Sequence, residues 1–352
     1  MYRLIRAAYI IFLLAVFCYS CGGAYSADQT FPEKDWLHQK DPSAPIPLKN
    51  DMPLYLLFLN MTPDKAETLP EGKFSFSPNY AISNIIIDKV TTPSELYIVQ
   101  IDTEVHRFSC DVRYGLRDDM ELGVEIPYIR LSRGTLDGFI ESFEDFFNFT
   151  TPGARERADD YDFKYRVSYD YKDMVNDTTP RGGLGDMVFS FKYRMRDEDE
   201  QWPRLALKAS IKAPTGSDSK LLGSGNVDFG LSLLVDKNCA DKLFLYLNLN
   251  AIYVQKPDIF TYFDMDEYIL SGMFAAEYFF TNRFSTTLQL SSNTSPYPQD
   301  SGTDPLDNEA LMLLLAFAYD FGGPKWHISV TENVFTDSSP DVSFETGVGF
   351  GF

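Results

Sequence analysis

His327-Ile328-Ser329 sets an imidazole and a hydroxyl two residues apart, and a base within hydrogen-bond reach of a hydroxyl is the minimum for nucleophilic hydrolysis. A second set of residues points to solute handling instead. Lys192, Arg194, Arg204, Lys208 and Lys212 recur at even spacings, with Arg113, Glu121, Glu125, Asp186 and Asp228 at comparable positions in neighbouring segments. Walls of opposite sign across a hollow create a transverse field that orders polar solutes, and rings of cations favour anions. The same charges can equally pair with one another and stiffen the fold, each cross-strand pair contributing roughly 0.2–1 kcal/mol. Metal chemistry finds no basis: His38, His106 and His327 lie far apart without paired-ligand spacing, and no cofactor is expected. Gly223-Ser224-Gly225 is too short to cradle a phosphate and reads as a turn.

Both sets need a scaffold on which alternate residues share a face, and the chain has that period from about residue 72 onward. His106, Phe108, Cys110, Val112 and Tyr114 alternate with Arg107, Ser109, Asp111 and Arg113. Met120, Leu122, Val124, Ile126 and Tyr128 alternate with Glu121, Gly123 and Glu125. Phe189, Phe191 and Tyr193 likewise oppose Ser190, Lys192 and Arg194, and Leu205, Leu207 and Ile211 oppose Lys208, Ser210 and Lys212. Each segment therefore forms a strand with one apolar and one wet side. Two architectures share that pattern, a sandwich with one solvated face and a membrane barrel with a polar lumen.

Composition and spacing favour the barrel. Of 352 residues, 31 are Lys or Arg and 51 are Asp or Glu, a net charge of −20 that argues against a nucleic-acid partner. Mean hydropathy is −0.20, and after residue 21 no apolar run reaches the roughly 18 residues of a membrane helix. Aromatic residues nevertheless make up 15% of the chain. The alternating segments are long enough to cross a bilayer when tilted, whereas soluble strands average about 5–6 residues. Short connections at Gly115–Asp119, Lys237–Asp241, Thr281–Arg283 and Gly322–Lys325 alternate with long ones at 132–182, 214–225, 255–266 and 294–309, the asymmetry of periplasmic turns and outer loops. Tyr114, Tyr128, Tyr193, Tyr253, Tyr278, Phe280, Tyr319 and Phe321 fall at segment ends, where interfacial girdles belong.

The expected fold is thus an all-β, transmembrane antiparallel β-barrel of about 12 strands over residues 72–352, with a long extracellular loop. Residues 1–26 read as a cleaved signal peptide: Arg3 and Arg6 precede the apolar run Ala7–Cys18, and Ala24-Tyr25-Ser26 supplies small residues for cleavage. Removing two positive charges leaves 29 basic against 51 acidic residues, or −22. Residues 27–71, with Pro45, Pro47, Pro53, Pro63 and Pro70 around the apolar stretch Leu54–Leu59, are too irregular for a strand. They either thread the lumen as a plug or lie beneath the barrel in the periplasm. In the long loop, Phe139, Phe143, Phe146 and Phe147 share one side of a short helix, and Tyr161 to Tyr171 alternate as a further hairpin arm.

Several blocks resemble a known family. They are Asn50-Asp51-Met52-Pro53-Leu54, Arg113-Tyr114-Gly115-Leu116, Glu121 to Pro127, Leu136 to Ile140, Gly183-Leu184-Gly185-Asp186, Lys212 to Gly216, Gly223-Ser224-Gly225 with Asp228, and Asp341 to Phe344. Together they look like the bacterial outer-membrane family catalogued as domain of unknown function 3187. The resemblance implies a Gram-negative outer-membrane barrel without an established activity, among relatives grouped with transporters of small or hydrophobic compounds. The terminal Phe352 on an alternating strand resembles the signal read by the barrel assembly machinery. Outer-membrane lipid and lipopolysaccharide are the other expected partners.

Three functions remain in view. A channel or transporter for a small solute, hydrophobic or anionic, would use Arg113, Glu121, Glu125, Asp186, Lys192, Arg194, Lys208, Lys212 and Asp228 as lumen contacts. A closed structural or interaction barrel would use the same charges as braces. A phospholipase-like hydrolase would use His327 and Ser329, but Lys325-Trp326 and Val330-Thr331-Glu332-Asn333 lack that family's flanking pattern. Both groups would also turn from lipid if Trp326 and Ile328 face it, so the chain is not expected to be an enzyme.

Overall fold

The computed structural model describes residues 42–91, 96–134, 163–298, 301–334 and 337–352. The leader, His38, Tyr161 and the Phe139–Phe147 helix expectation lie outside them. Among the described residues fifteen strands form one antiparallel sheet. They are β1 (Phe74–Val90), β2 (Tyr97–Arg117), β3 (Met120–Ser132), β4 (Lys164–Tyr169), β5 (Lys172–Asp177), β6 (Arg181–Leu184), β7 (Met187–Arg196), β8 (Arg204–Ala213), β9 (Asp228–Ala240), β10 (Leu243–Tyr253), β11 (Tyr268–Phe279), β12 (Phe284–Asn293), β13 (Ala310–Asp320), β14 (Lys325–Asn333) and β15 (Val342–Gly351).

Twelve of these, β1 to β3 and β7 to β15, close into a ring in which β15 pairs with β1. Phe74 and Phe352 exchange both backbone hydrogen bonds at the seam, 2.9 and 3.2 Å. Closure leaves the twelve-stranded ring without an unpaired edge strand, which hydrocarbon would not tolerate. The twelve strands fall on the twelve expected segments, but β1 runs on to Val90 where the alternation ends near residue 84, β9 runs to Ala240 where it ends near 236, and the segment expected at 183–196 is divided between β6 and β7. β4, β5 and β6 stand outside the ring and extend its wall at one end: the first half of β2 pairs with β4, the end of β3 with β6. β4 is the hairpin arm expected from the alternation in the long loop, and β5 is its partner.

Alternation places apolar side chains outward, as Phe108, Leu122, Phe189, Leu231, Leu288, Phe317 and Ile328 are exposed. An aromatic belt runs around the short-turn rim. Phe74 meets Tyr114 at 4.6 Å between centroids, Tyr278 meets Phe280 at 5.2 Å, and Tyr319 meets Phe321 at 4.8 Å. At the other rim Tyr253 meets Tyr268 at 5.5 Å.

Residues 42–71, whose placement the sequence left open, run inside the ring. From Ser43 the chain ascends from the short-turn half, reverses between Met52 and Phe58, and descends to Gly72, which donates to the Gly115 carbonyl beside the β2–β3 turn at 2.8 Å. The reversal is one tight turn, with the Tyr55 and Leu56 amides donating to the Met52 carbonyl at 2.8 and 3.1 Å.

Candidate functional site

An irregular segment inside a barrel leaves backbone donors and acceptors without a ladder, and each must find a partner. The wet faces of the strands supply them. The Asn248 amide on β10 accepts from the Asp64 N–H and donates to its carbonyl, at 2.8 and 2.9 Å. Gln289 on β12 treats Ile46 the same way, at 3.0 and 3.1 Å. Carboxylates complete the descent: Asp228 accepts from Leu59 at 2.8 Å, Asp236 from Ala66 at 2.6 Å and Glu121 from Leu69 at 2.9 Å. Glu277 accepts from Ser43 and Ala44 at 3.1 and 3.2 Å. The polar lumen is thus contoured to the backbone of this segment. Even packing is tight: a Cβ at Gly230 on β9 would overlap the Met61 sulfur.

Ion pairs concentrate at three nodes. At the first, Lys192 and Lys208 sit directly opposite each other on β7 and β8. The repulsion is relieved by Asp64, whose carboxylate lies 3.3 Å from Lys192, 3.0 Å from Lys208 and 2.6 Å from Arg113. Burial pushes the Asp64 pKa up, but Arg113, Lys192 and Lys208 outweigh it and hold the carboxyl well below the ordinary range. Glu121 reinforces the node, 3.1 Å from Lys192. Arg113 and Glu121 do approach near the β2–β3 turn, at 3.7 Å, though Arg113 stands opposite Gly123 and the pair is diagonal.

Lys212 forms the second node. Its ammonium donates to Asp186 at 2.7 Å, Ser224 at 2.6 Å and the Leu57 carbonyl at 2.9 Å, with Asp228 at 3.3 Å. Asp186 in turn accepts from the Gly216 N–H at 2.8 Å. Three of the sequence blocks that carry the family resemblance meet here. At the third node Arg107 donates to Asp51 at 2.7 Å, beside Glu125, which joins the two limbs of the segment through Lys49 at 2.6 Å and Thr62 at 2.8 Å.

All nine predicted lumen residues therefore contact the inner segment or a group that holds it, Arg194 only through the Asp118 carbonyl that also accepts from the Thr68 hydroxyl at 2.6 Å. Arg194 stands at the rim, against Asp197 at 2.8 Å and the Asp118 carbonyl at 2.9 Å. The sequence reading missed Asp51 and Asp64, because period-two patterning carries no information about an aperiodic segment. A signal was present: a wall holding Lys192, Lys208 and Lys212 needs counter-ions, and residues 42–71 supply Asp51, Asp64 and Glu67.

Above the nodes, the described residues at the long-loop mouth pack into an apolar cluster. Met52, Leu54, Leu57 and Leu59 at the reversal are buried against Ile85, Tyr165, Phe260, Phe263 and Tyr297. Phe260 and Phe263 stack at 5.4 Å, and the Tyr297 hydroxyl donates to the Leu54 carbonyl at 2.7 Å. Below it a cavity of about 690 Å³ remains between the segment and β14, β15, β1, β2 and β3, reaching from Arg107 and His327 to Gly323 and Asp118 at the short-turn rim. His327 and Ser329 both face inward, since Trp326 and Ile328 are exposed on the other face. Among the described residues no group of three or more His, Cys, Asp or Glu could hold a metal ion.

A family model described as "Protein of unknown function (DUF3187)" matches residues 29–352. No curated protein matches the chain. Among solved structures, the COG4313 outer membrane channel from Pseudomonas putida F1 aligns with a TM-score of 0.55 at 15% identity, covering 83% of this chain and 100% of that one. The NanC porin aligns at 0.42 with 8% identity, covering 79% and 98%, and the KdgM porin at 0.40 with 10% identity, covering 79% and 99%. The first of these alignments establishes a shared barrel fold, that of an outer-membrane channel.

Proposed function

The chain belongs to the DUF3187 family and has the fold of outer-membrane channels, and from that premise we propose that it is a gated channel for a small solute. Residues 42–71 are the gate, and residues 1–26 are the leader that directs the chain through the inner membrane. The observation that carries the reading is the cavity of about 690 Å³ left beside the segment. A barrel braced only for rigidity would pack that space, whereas ligand sites occupy about 300–1,000 Å³. Passage requires displacement of the apolar reversal from the long-loop mouth, with the ionic nodes setting the resistance.

The charged residues named from the sequence act in this reading chiefly on the gate. Lys192, Lys208 and Lys212 have their charges met by Asp64, Asp186 and Asp228, so they offer no free cationic ring to an anion in the closed state. Lipid hydrolysis finds no support in the geometry, because His327 and Ser329 face away from the bilayer side. Planar-bilayer recordings of the refolded protein test the proposal. Discrete openings are expected, more frequent in Asp64→Ala; silence of both proteins would favour the closed structural barrel.

A further inference from the structure

The ascending limb of the inner segment has two faces. Ile46 and Leu48 pack on Met312, Leu314 and Ala316, and Ala44 packs on Tyr246 and Met273, so these alternate residues turn toward β10 to β13. Pro45, Pro47 and Lys49, the residues between and after them, line the cavity instead. Proline has no N–H, so at Pro45 and Pro47 this face presents ring methylenes and no backbone donor. Across the cavity stands the wall made by β15, β1 and β2. Phe74, Phe76 and Tyr80 of β1 are exposed on its outer side, which turns Ser75, Ser77 and Asn79 inward. Ser109 of β2 stands directly opposite Asn79, and all four line the cavity.

There is room at their surface. Gly349 and Gly351 of β15 line the same cavity. A Cβ on Gly351 would meet nothing within 4 Å, and one on Gly349 only the Ser77 hydroxyl at 3.4 Å. One group on this wall is incompletely bonded. Asn79 is only 6% exposed, and its amide nitrogen donates to the Ser77 carbonyl at 3.1 Å. Among the described residues nothing donates to its amide oxygen. The space is therefore a slot with methylenes on one side and hydroxyls and a carboxamide on the other.

Such a slot selects by chemistry. A wholly apolar solute would strip water from Ser75, Ser77, Asn79 and Ser109 without replacing its hydrogen bonds. An anion finds the neighbouring cations already met: Lys49 lies 2.6 Å from Glu125, and Arg113 donates to Asp64 at 2.6 Å and Asp111 at 2.5 Å. Solute hydroxyls both donate and accept, as serine hydroxyls do, and one of them supplies the donor that the Asn79 oxygen lacks. A face of C–H groups suits the proline side.

We propose that the slot between Pro45 and Pro47 on the segment and Ser75, Ser77, Asn79 and Ser109 on the barrel wall is a subsite for a neutral ring solute with one apolar and one hydroxylated face, such as a hexose. The subsite deepens the channel reading and rests on it only for the route onward, because the cavity already reaches the short-turn rim.

Saturation-transfer NMR of the protein in an amine-oxide detergent, with methyl β-galactoside as the probe, reads weak binding without requiring an open lumen. Saturation is expected to reach the sugar, strongest at H3, H4 and H5, which form its apolar face, and to reach benzoate less. Ser77→Ala and Asn79→Leu should each weaken the galactoside by about fivefold or more. Gly349→Phe, which fills the slot, should abolish its binding. Heat-modifiable gel mobility reports folding, and Ser77→Ala, which deletes a single hydroxyl, carries the comparison if the larger changes fail to fold. No transfer to the galactoside, transfer spread evenly over its ring, stronger transfer to benzoate, or undiminished binding by the folded variants would overturn the subsite. Conduction by a protein that never binds the galactoside would overturn the subsite alone. Binding by a protein that never conducts would instead overturn the channel reading and leave the subsite standing.

Discussion

At the long-loop end, Met52, Leu54 and Leu57 meet Phe260, Phe263 and Tyr297 in a cluster held by apolar contact. Lower in the same lumen, Asp64 meets Arg113, Lys192 and Lys208, and Glu121 and Asp236 take backbone amides. One segment closes both regions, by different physics. Apolar burial is non-directional and indifferent to protonation, so the upper seal loosens only when area is exposed. Ion pairs in a low-dielectric hollow are directional and fail together when one partner is lost. The upper region is suited to exclude water, the lower to hold a position that a change of charge can release.

The sharpest challenge to this division is Asp64→Ala, which leaves three buried cations without their shared counter-ion. A loss of about 3–5 kcal/mol is expected, the range for removing one partner of a buried pair, read from the denaturant midpoint of the heat-modifiable gel shift. An unchanged midpoint would mean that the ionic half does not hold the segment. Phe260→Ala should cost about 3 kcal/mol by the same assay, as for other buried aromatic truncations, while leaving the pH response intact. Its loss of pH response would show that the two regions are not separable.

Acid distinguishes them more gently. The ammonium of Lys65 is the main influence on Glu67, and it holds the carboxyl at about 2 against an ordinary 4.5. The folded state therefore takes up this proton less readily than the unfolded one. Its contribution is complete above about pH 4.5 and is lost as pH falls toward about 2, and Asp64 follows the same sign. Channel openings should become more frequent over that window, whereas a purely apolar gate would show no trend. The smallest effect is expected at the rim: Arg194→Ala loses a pair with Asp197, whose side chain is 66% exposed, and should shift the midpoint by under about 1 kcal/mol.

Much of the barrel was legible because strand side chains alternate strictly. Phe189, Phe191 and Tyr193 against Ser190 and Lys192 define a face at every step, whatever the rest of the chain does. Girdle residues such as Tyr278 and Phe280 were readable for the same reason. The candidate site was half legible. Lys192, Lys208 and Lys212 could be assigned to the lumen from parity, yet nothing local says that Lys192 and Lys208 are register partners. His327 and Ser329 were noticed for their spacing alone, while Glu345 and Arg107 reach them only through strand pairing and closure.

Sequence alone therefore determined the period, the strand segments, the outward apolar face and the inward charges, because those properties repeat every two residues along one backbone. Tertiary structure decided what fills the hollow. Asp64 lies 128 residues from Lys192 and 144 from Lys208, in a proline-interrupted stretch whose hydrogen bonds go to side chains of other strands. Partners so distant are chosen by ring closure and lumen shape, quantities that no local pattern encodes.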